Sequence, residues 1–260
     1  MFVHPQFDPV AFSLGPLSVR WYGLMYLVAF LAAGFLAAYR ARQADSGWKV
    51  EEISDLVFYC ALGVILGGRL GYTIFYNFSY YVQHPLEILY VWTGGMSFHG
   101  GLIGVLIAMF LYGRKTGRVF LQVSDFVAPL CGIGIAAVRF SNFINQELWG
   151  RVTDLPVGVI FPLAGPDPRH PSQLYEMMLE GILLFIVLWI YTRKPRPLGR
   201  ASGLFLLIYG VSRFAVEFLR EPDAHIGPVA LGWMTMGQLL TLPMILFGVL
   251  LFLGVFSRRA

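Results

Sequence analysis

The chain has 260 residues, 57% hydrophobic and 13% charged, with a formal net charge of +4 and a mean hydropathy of +0.66. That balance excludes an ordinary soluble globular domain and points to a polytopic membrane protein. The cationic excess and the pI near 9.1 are explained by basic loops meeting anionic lipid, so no nucleic-acid partner is implied.

Apolar stretches fall at residues 19–39, 53–76, 97–112, 119–138, 174–191, 201–219 and 238–256. A bilayer span takes about 20 residues at about 1.5 Å each, and the third and fifth stretches fall short only within boundary error. The reading is an all-α polytopic membrane protein of about seven transmembrane helices, one integral membrane domain over residues 1–260. Residues 1–18 hold no Lys or Arg and no cleavage-site pattern, so the first stretch reads as an anchor rather than a removed signal. Arg40, Arg42 and Lys49 follow the first stretch, Arg114, Lys115 and Arg118 the third, Arg193, Lys194, Arg196 and Arg200 the fifth, and Arg258 and Arg259 the last. Basic residues are retained in cytoplasmic loops, which predicts the N-terminus outside and the C-terminus inside. Cys60 and Cys131 lie within apolar stretches and read as packing residues. No metal-ligand spacing, internal repeat or cofactor motif is present, and no cofactor is expected.

With the direction of each stretch assigned, the polar groups inside them gather toward the outer leaflet. Tyr22, His99, Tyr175 and Glu176 sit at outer ends, Arg139 closes the fourth stretch, and Arg213 and Glu217 occupy the outer half of the sixth. Arg69 lies ~10 Å below the outer end of the second. An arginine at the bilayer centre costs ~2.5–3.5 kcal/mol, so Arg69, Arg139 and Arg213 each call for a partner or a use. Asp125, nearer the inside, reads as a hydrogen-bonding partner for a neighbouring helix. Two outer segments interrupt the helices. An arm at about 77–95 carries Tyr80, Tyr81, Tyr90 and Trp92, as expected along the headgroup region, and a proline-rich cap spans about 150–173.

In RFSNFINQELWGR, residues 139–151, Arg139, Asn142 and Gln146 are spaced for one helical stripe, and Asn145 and Trp149 for a neighbouring one. A guanidinium backed by amides can hold a phosphodiester; a polar helix end capped at the water boundary would also satisfy the local sequence. Arg213, Glu217 and Arg220 alternate in sign at i, i+4 and i+7, either as a self-neutralising ladder or with Glu217 orienting Arg213 as a second phosphate clamp. His99 stands among Gly94, Gly95, Gly100, Gly101 and Gly104, and is either a proton acceptor or a structural hydrogen-bonder. Gly100 and Gly104, like Gly63, Gly67 and Gly71, are spaced for close helix approach. Glu176, in RHPSQLYE, is placed to pair with one of the arginines.

As a set and in this order, RWYGLMY, GGRLGY, MSFHGGLIG, RFSNFINQELWGR, RHPSQLYE and YGVSRFAVEFLREPD resemble the bacterial prolipoprotein diacylglyceryl transferases. Arg139, Asn142, Phe143, Asn145, Glu147 and Gly150 match that family's signature, while Val138 and Ser141 stand where small residues are usual. The resemblance implies an enzyme of the bacterial inner membrane that takes phosphatidylglycerol and a preprolipoprotein. It would transfer the diacylglyceryl group to the thiol of the lipobox cysteine, forming a thioether and releasing glycerol phosphate at the periplasmic leaflet, as the first step of lipoprotein maturation.

In that chemistry negative charge grows on the departing phosphate, and donors aimed there contribute most. Arg139 and Arg213 are the candidates, with His99 as base for a thiol of pKa ~8.5. Asn142 and Glu147 would hold the first clamp and Glu217 the second. Tyr22 and Gly150 would shape the pocket, and Arg69, Asn145, Glu176 and Arg220 would support it. Two rivals remain on sequence alone. Another phosphatidylglycerol-using transferase fits the same charges; a lipid or solute transporter fits less well, because its site is expected near mid-bilayer between repeats.

Overall fold

A helix occupies each of the expected apolar stretches. The computed structural model describes residues 2–15, 17–222, 227 and 229–255; Arg258 and Arg259, Phe256 at the end of the last stretch, and Asp223 of the sixth motif lie outside them. The long helices are α1 (Trp21–Ala41), α2 (Glu51–Phe75) and α4 (Phe98–Thr116). After them come α5 (Phe120–Val127) and α6 (Cys131–Ile144), joined through a 3-10 turn at Ala128–Leu130 that contains Pro129. Next are α7 (Ser172–Glu176), a π-helical segment at Met177–Leu183, and α8 (Leu184–Tyr191), then α9 (Arg200–Val216) and α10 (Met236–Phe252). The short helix α3 (Phe78–Gln83) lies in the arm. Among the described residues, four continuous segments are long and apolar enough to cross a membrane: Trp21–Ala41, Glu51–Phe75, Phe120–Ile144 and Ser172–Tyr191. Small strands supplement the helices. β2 (Val10–Leu14) and β3 (Leu17–Arg20) pair antiparallel, and β1 (Phe2–Val3) pairs parallel with β4 (Val159–Ile160), which pairs antiparallel with β5 (Pro168–Arg169).

The chain divides into two compact units, Leu36–Ser124 and a second formed by Met1–Phe35 with Asp125–Ala260. In the Leu36–Ser124 unit, α2 and α4 touch through their glycines, as the spacing predicts. A Cβ on Gly63 would lie 2.6 Å from the Gly104 carbonyl oxygen, and one on Gly71 2.7 Å from the Gly100 Cα. Backbones this close leave no room for side chains, which is how small residues bring helices together where lipid removes the hydrophobic drive. At the other end of α2, Arg118 holds Glu52 through both oxygens at 3.0 and 2.9 Å and stacks 4.1 Å from the Trp48 ring centroid.

The second unit contains α6 to α10. Asp125 reaches from α5 to the start of α9, its carboxylate accepting from Gly199 N (2.6 Å), Ser202 N (2.8 Å) and Ser202 Oγ (2.6 Å). It is a remote N-cap: two otherwise unpaired helix donors and the positive end of the helix dipole meet a negative charge. α6 and the π-helical segment are in backbone contact, since a Cβ on Gly132 would lie 2.7 Å from the Gly181 carbonyl oxygen and one on Gly181 2.8 Å from the Ala136 Cα.

Candidate active site

The signature segment leaves its helix earlier than the stripe pattern implies. α6 stops at Ile144, with Asn145 as its C-cap, and Gln146 and Leu148 then adopt left-handed backbone (φ 54° and 58°). Gln146 is therefore not on the stripe of Arg139 and Asn142, nor does Trp149 continue that of Asn145. The Gln146 side chain instead accepts from Leu163 N at 3.2 Å, and Trp149 packs against Phe161 in the cap. The turn delivers Glu147 back onto the helix end. Asn142 Nδ2 donates to Glu147 Oε2 (3.2 Å) and Asn145 Nδ2 to Oε1 (3.1 Å), so one carboxylate is fixed by two neutral donors. Ser141, wholly buried, donates its hydroxyl to the Val138 carbonyl at 2.8 Å. That internal bond satisfies the extra oxygen at a position where the resemblance leads one to expect a smaller residue.

Gly150 is a crossing point. Its N–H donates to the His170 carbonyl (2.8 Å), the adjacent Arg151 N–H to the Leu219 carbonyl (2.8 Å), and the residue bridges to Arg220. A Cβ here would lie 2.6 Å from both of those carbonyl oxygens. The missing side chain of Gly150 lets the cap and the chain just beyond α9 meet the signature turn.

Beside this turn lies an ion cluster drawn from α6, α7, the π-helical segment and the C-terminal end of α9. Arg139 of α6 donates through Nη2 to Glu180 Oε2 at 3.1 Å, and its Nη1 lies 3.1 Å from Glu176 Oε2. Arg213 of α9 donates through Nη1 to Glu176 Oε1, its Nη2 lies 2.6 Å from Glu217 Oε2, and Arg220 Nη1 stands 3.7 Å from the same oxygen. Glu176 and Glu180 are fully buried, while the two arginine side chains keep 18% and 13% exposure. Glu217 is also tied to the start of α10: the Thr235 hydroxyl donates to its Oε1 at 2.9 Å, and Thr235 is the N-cap of a capping box with Gln238. The arginines expected to serve as clamps are thus brought together, sharing Glu176, and the insertion cost of each guanidinium is offset by carboxylates. A guanidinium has five N–H donors, so neither is saturated by these contacts.

Pro9, Arg20, Tyr22, Asn145 and Glu147 line a cavity of about 410 Å³. Tyr22 lies within electrostatic range of Glu147 and Arg139, linking cavity and cluster. Arg20, exposed at the end of β3, was not among the candidates because its sequence context reads as an aromatic anchor.

The other two candidates lie in the Leu36–Ser124 unit. His99 is exposed in the first turn of α4, whose N-cap Ser97 accepts from Gly100 N at 3.2 Å. Arg69 has 3% exposure and donates to the carbonyls of Glu87 (2.7 Å), Ile88 (2.8 Å), Gly95 (3.2 Å) and Gly94. Its partners are backbone oxygens of the arm, so its support consists in holding the arm to α2.

The family model described as prolipoprotein diacylglyceryl transferase matches residues 9–254. The chain belongs to the prolipoprotein diacylglyceryl transferase family. It is 60% identical to a phosphatidylglycerol–prolipoprotein diacylglyceryl transferase of Oleidesulfovibrio alaskensis over 251 residues, covering 96% of this chain and 94% of the relative. It is 57% identical to one so named from Coxiella burnetii, over 95% of each chain, and 54% identical to one from Pseudomonas aeruginosa, over 100% of this chain and 98% of the relative. This family member is therefore an enzyme, a transferase, and with its long apolar helices an integral membrane protein.

One residue at the centre of the cluster escaped the sequence reading. Glu180 falls inside the fifth apolar stretch, four residues after Glu176, and its signal was available: an ionisable side chain deep in an apolar run is a site candidate by default. Thr235 and Ser172, whose hydroxyl donates to the Leu148 carbonyl at 2.7 Å, carried no comparable signal.

Proposed function

We propose that Arg139 and Arg213 bind the phosphate of phosphatidylglycerol while its diacylglyceryl group passes to the lipobox cysteine of a preprolipoprotein. The relatives named above support this donor and acceptor class, and the observation that carries the reading is the convergence of both guanidinium groups on Glu176. The cysteine sulfur attacks the glycerol carbon bearing the phosphate ester, the carbon–oxygen bond breaks, and glycerol phosphate leaves with the bonding pair. Charge grows on the phosphate oxygens as the bond lengthens, and fixed donors aimed at them stabilise that state more than the ground state. Arg139 is steadied by Glu176, and Arg213 by Glu176 and Glu217, with Arg220 beyond. Glu147, held by Asn142 and Asn145, lines with Tyr22 the cavity that takes the glycerol headgroup, and Gly150 keeps the cap seated. His99 is the base that accepts the thiol proton.

In the same proposal about seven helices span the bacterial inner membrane, with the N-terminus outside, the C-terminus inside and the site at the outer leaflet, where a secreted acceptor emerges. The uneven distribution of Lys and Arg supports that orientation. Purified protein incubated with glycerol-labelled phosphatidylglycerol and a lipobox peptide tests the function: label is expected on the peptide sulfur, and its absence refutes the transfer. His99→Gln is expected to lower the rate by about 10²–10⁴-fold. Full activity of that variant would remove His99 as the base and leave the phosphate site untouched.

A further inference from the structure

The charges of the cluster already cancel. Arg139, Arg213 and Arg220 stand against Glu176, Glu180 and Glu217, each arginine within ion-pair distance of at least one of these carboxylates. A bound phosphodiester adds one negative charge beside fully buried carboxylates, where an uncompensated charge is strongly disfavoured. Either the anion binds poorly or a resident carboxylate gives up its charge.

The three glutamates are not held equally. Glu176 bridges both principal arginines, and Glu217 meets Arg213, Arg220 and the Thr235 hydroxyl. Glu180 has one directed hydrogen bond, from Arg139 at 3.1 Å. Among the described residues its second oxygen, like Glu176 Oε2 and Glu217 Oε2, has no hydrogen-bond partner and is out of reach of solvent, but those two have an arginine nitrogen at 3.1 and 2.6 Å whereas Glu180 Oε1 approaches Arg213 only to 3.9 Å. Glu180 is also the sole directed hydrogen-bond partner of Arg139 among the described residues. Glu180 sits in the π-helical segment Met177–Leu183, a helix form that recurs at functional sites.

We infer that Glu180 is the exchangeable counter-anion of Arg139: the lipid phosphate replaces it on the guanidinium, and Glu180 takes up one proton as it is released. The inference rests on the assignment of Arg139 as a phosphate ligand. One proton enters from solvent with each lipid bound and returns when glycerol phosphate leaves, so the net charge of the cluster is the same empty and loaded. The charged and titratable groups facing Glu180 are Arg139 from α6, Arg213 and Tyr209 from α9, and Glu176 from α7; α8 brings no acidic or basic side chain. Among them Glu180 is the carboxylate whose release disrupts the fewest contacts.

Calorimetric titration of the full chain in nonionic detergent with a short-chain phosphatidylglycerol, between pH 6 and 9 and in buffers of different ionisation enthalpy, counts the protons. At the alkaline end the unmodified protein is expected to take up about one proton per lipid and, correspondingly, to lose affinity about tenfold per pH unit. Glu180→Gln, which keeps the shape and removes the charge, is expected to take up none, to bind with little dependence on pH, and to bind about tenfold or more tightly than the parent at pH 9. No uptake by the parent, or uptake unchanged in Glu180→Gln, overturns the inference. The parent measurement needs no variant to fold. Arg139→Gln separates the two levels: undiminished binding there removes the phosphate assignment itself, whereas lost binding with no proton uptake by the parent removes only the role of Glu180.

Discussion

Arg139→Gln is expected to reduce diacylglyceryl transfer by at least about a hundredfold, the range seen when one preorganised donor to a developing anion is deleted. The loss should appear in lipid affinity and still more in kcat, because the donor holds the bound phosphate and matters most when the carbon–oxygen bond is nearly broken. Arg139→Lys is not expected to restore it. The guanidinium reaches Glu176 through one terminal nitrogen and Glu180, whose place the phosphate takes, through the other, and an ammonium is a point charge that cannot span Glu176 and a phosphate in that way. The labelled-lipid assay measures the rate, and a thermal melt of the same preparation shows how much of the loss comes from unfolding. Retention of more than about a third of the parent kcat would show that Arg139 serves only the ion network.

Glu176→Leu is expected to be the most destabilising single change in the cluster. Its carboxylate is fully buried and lies between Arg139 and Arg213; without it, two like charges face each other across an apolar gap. Breaking a buried pair by removing one partner costs about 3–5 kcal/mol, and for a protein of this size each kcal/mol lowers the melting midpoint by roughly 2–4 °C. A drop on the order of 10 °C in detergent is therefore expected, with a smaller one for Glu176→Gln, which retains an acceptor oxygen and a similar volume. A Leu variant as stable as the parent would mean that water or lipid, rather than Glu176, compensates the arginines.

Side-chain identity made part of this arrangement legible before any coordinates. The arginines announce themselves by their insertion cost, and the glycines at Gly63, Gly67, Gly100 and Gly104 by spacing alone, because close approach needs only the absence of atoms. Asp125 was read as a helix partner and is one. What was not legible depends on the backbone. Helical spacing relates Arg139 to Asn142 but fails at Gln146, where left-handed residues end α6, and no propensity marks Gln146 and Leu148 for that conformation. Arg69 calls for a partner or a use, and its partners are carbonyl oxygens, which every residue possesses and none advertises. β1, β4 and β5 are two residues long, too short for the alternation that identifies a strand. Glu180 is different: its signal was present, and a count of opposite charges within the apolar stretches would have found it.

The central claim is that the guanidinium groups of Arg139 and Arg213 hold the phosphate of the lipid. A structure of the protein with an unreactive phosphodiester analogue of phosphatidylglycerol tests it most directly. The account predicts phosphate oxygens about 2.7–3.2 Å from nitrogens of both arginines, with the Glu180 carboxyl withdrawn from Arg139. A phosphate seated elsewhere, with the contacts of both arginines to Glu176, Glu180 and Glu217 unchanged, would contradict it.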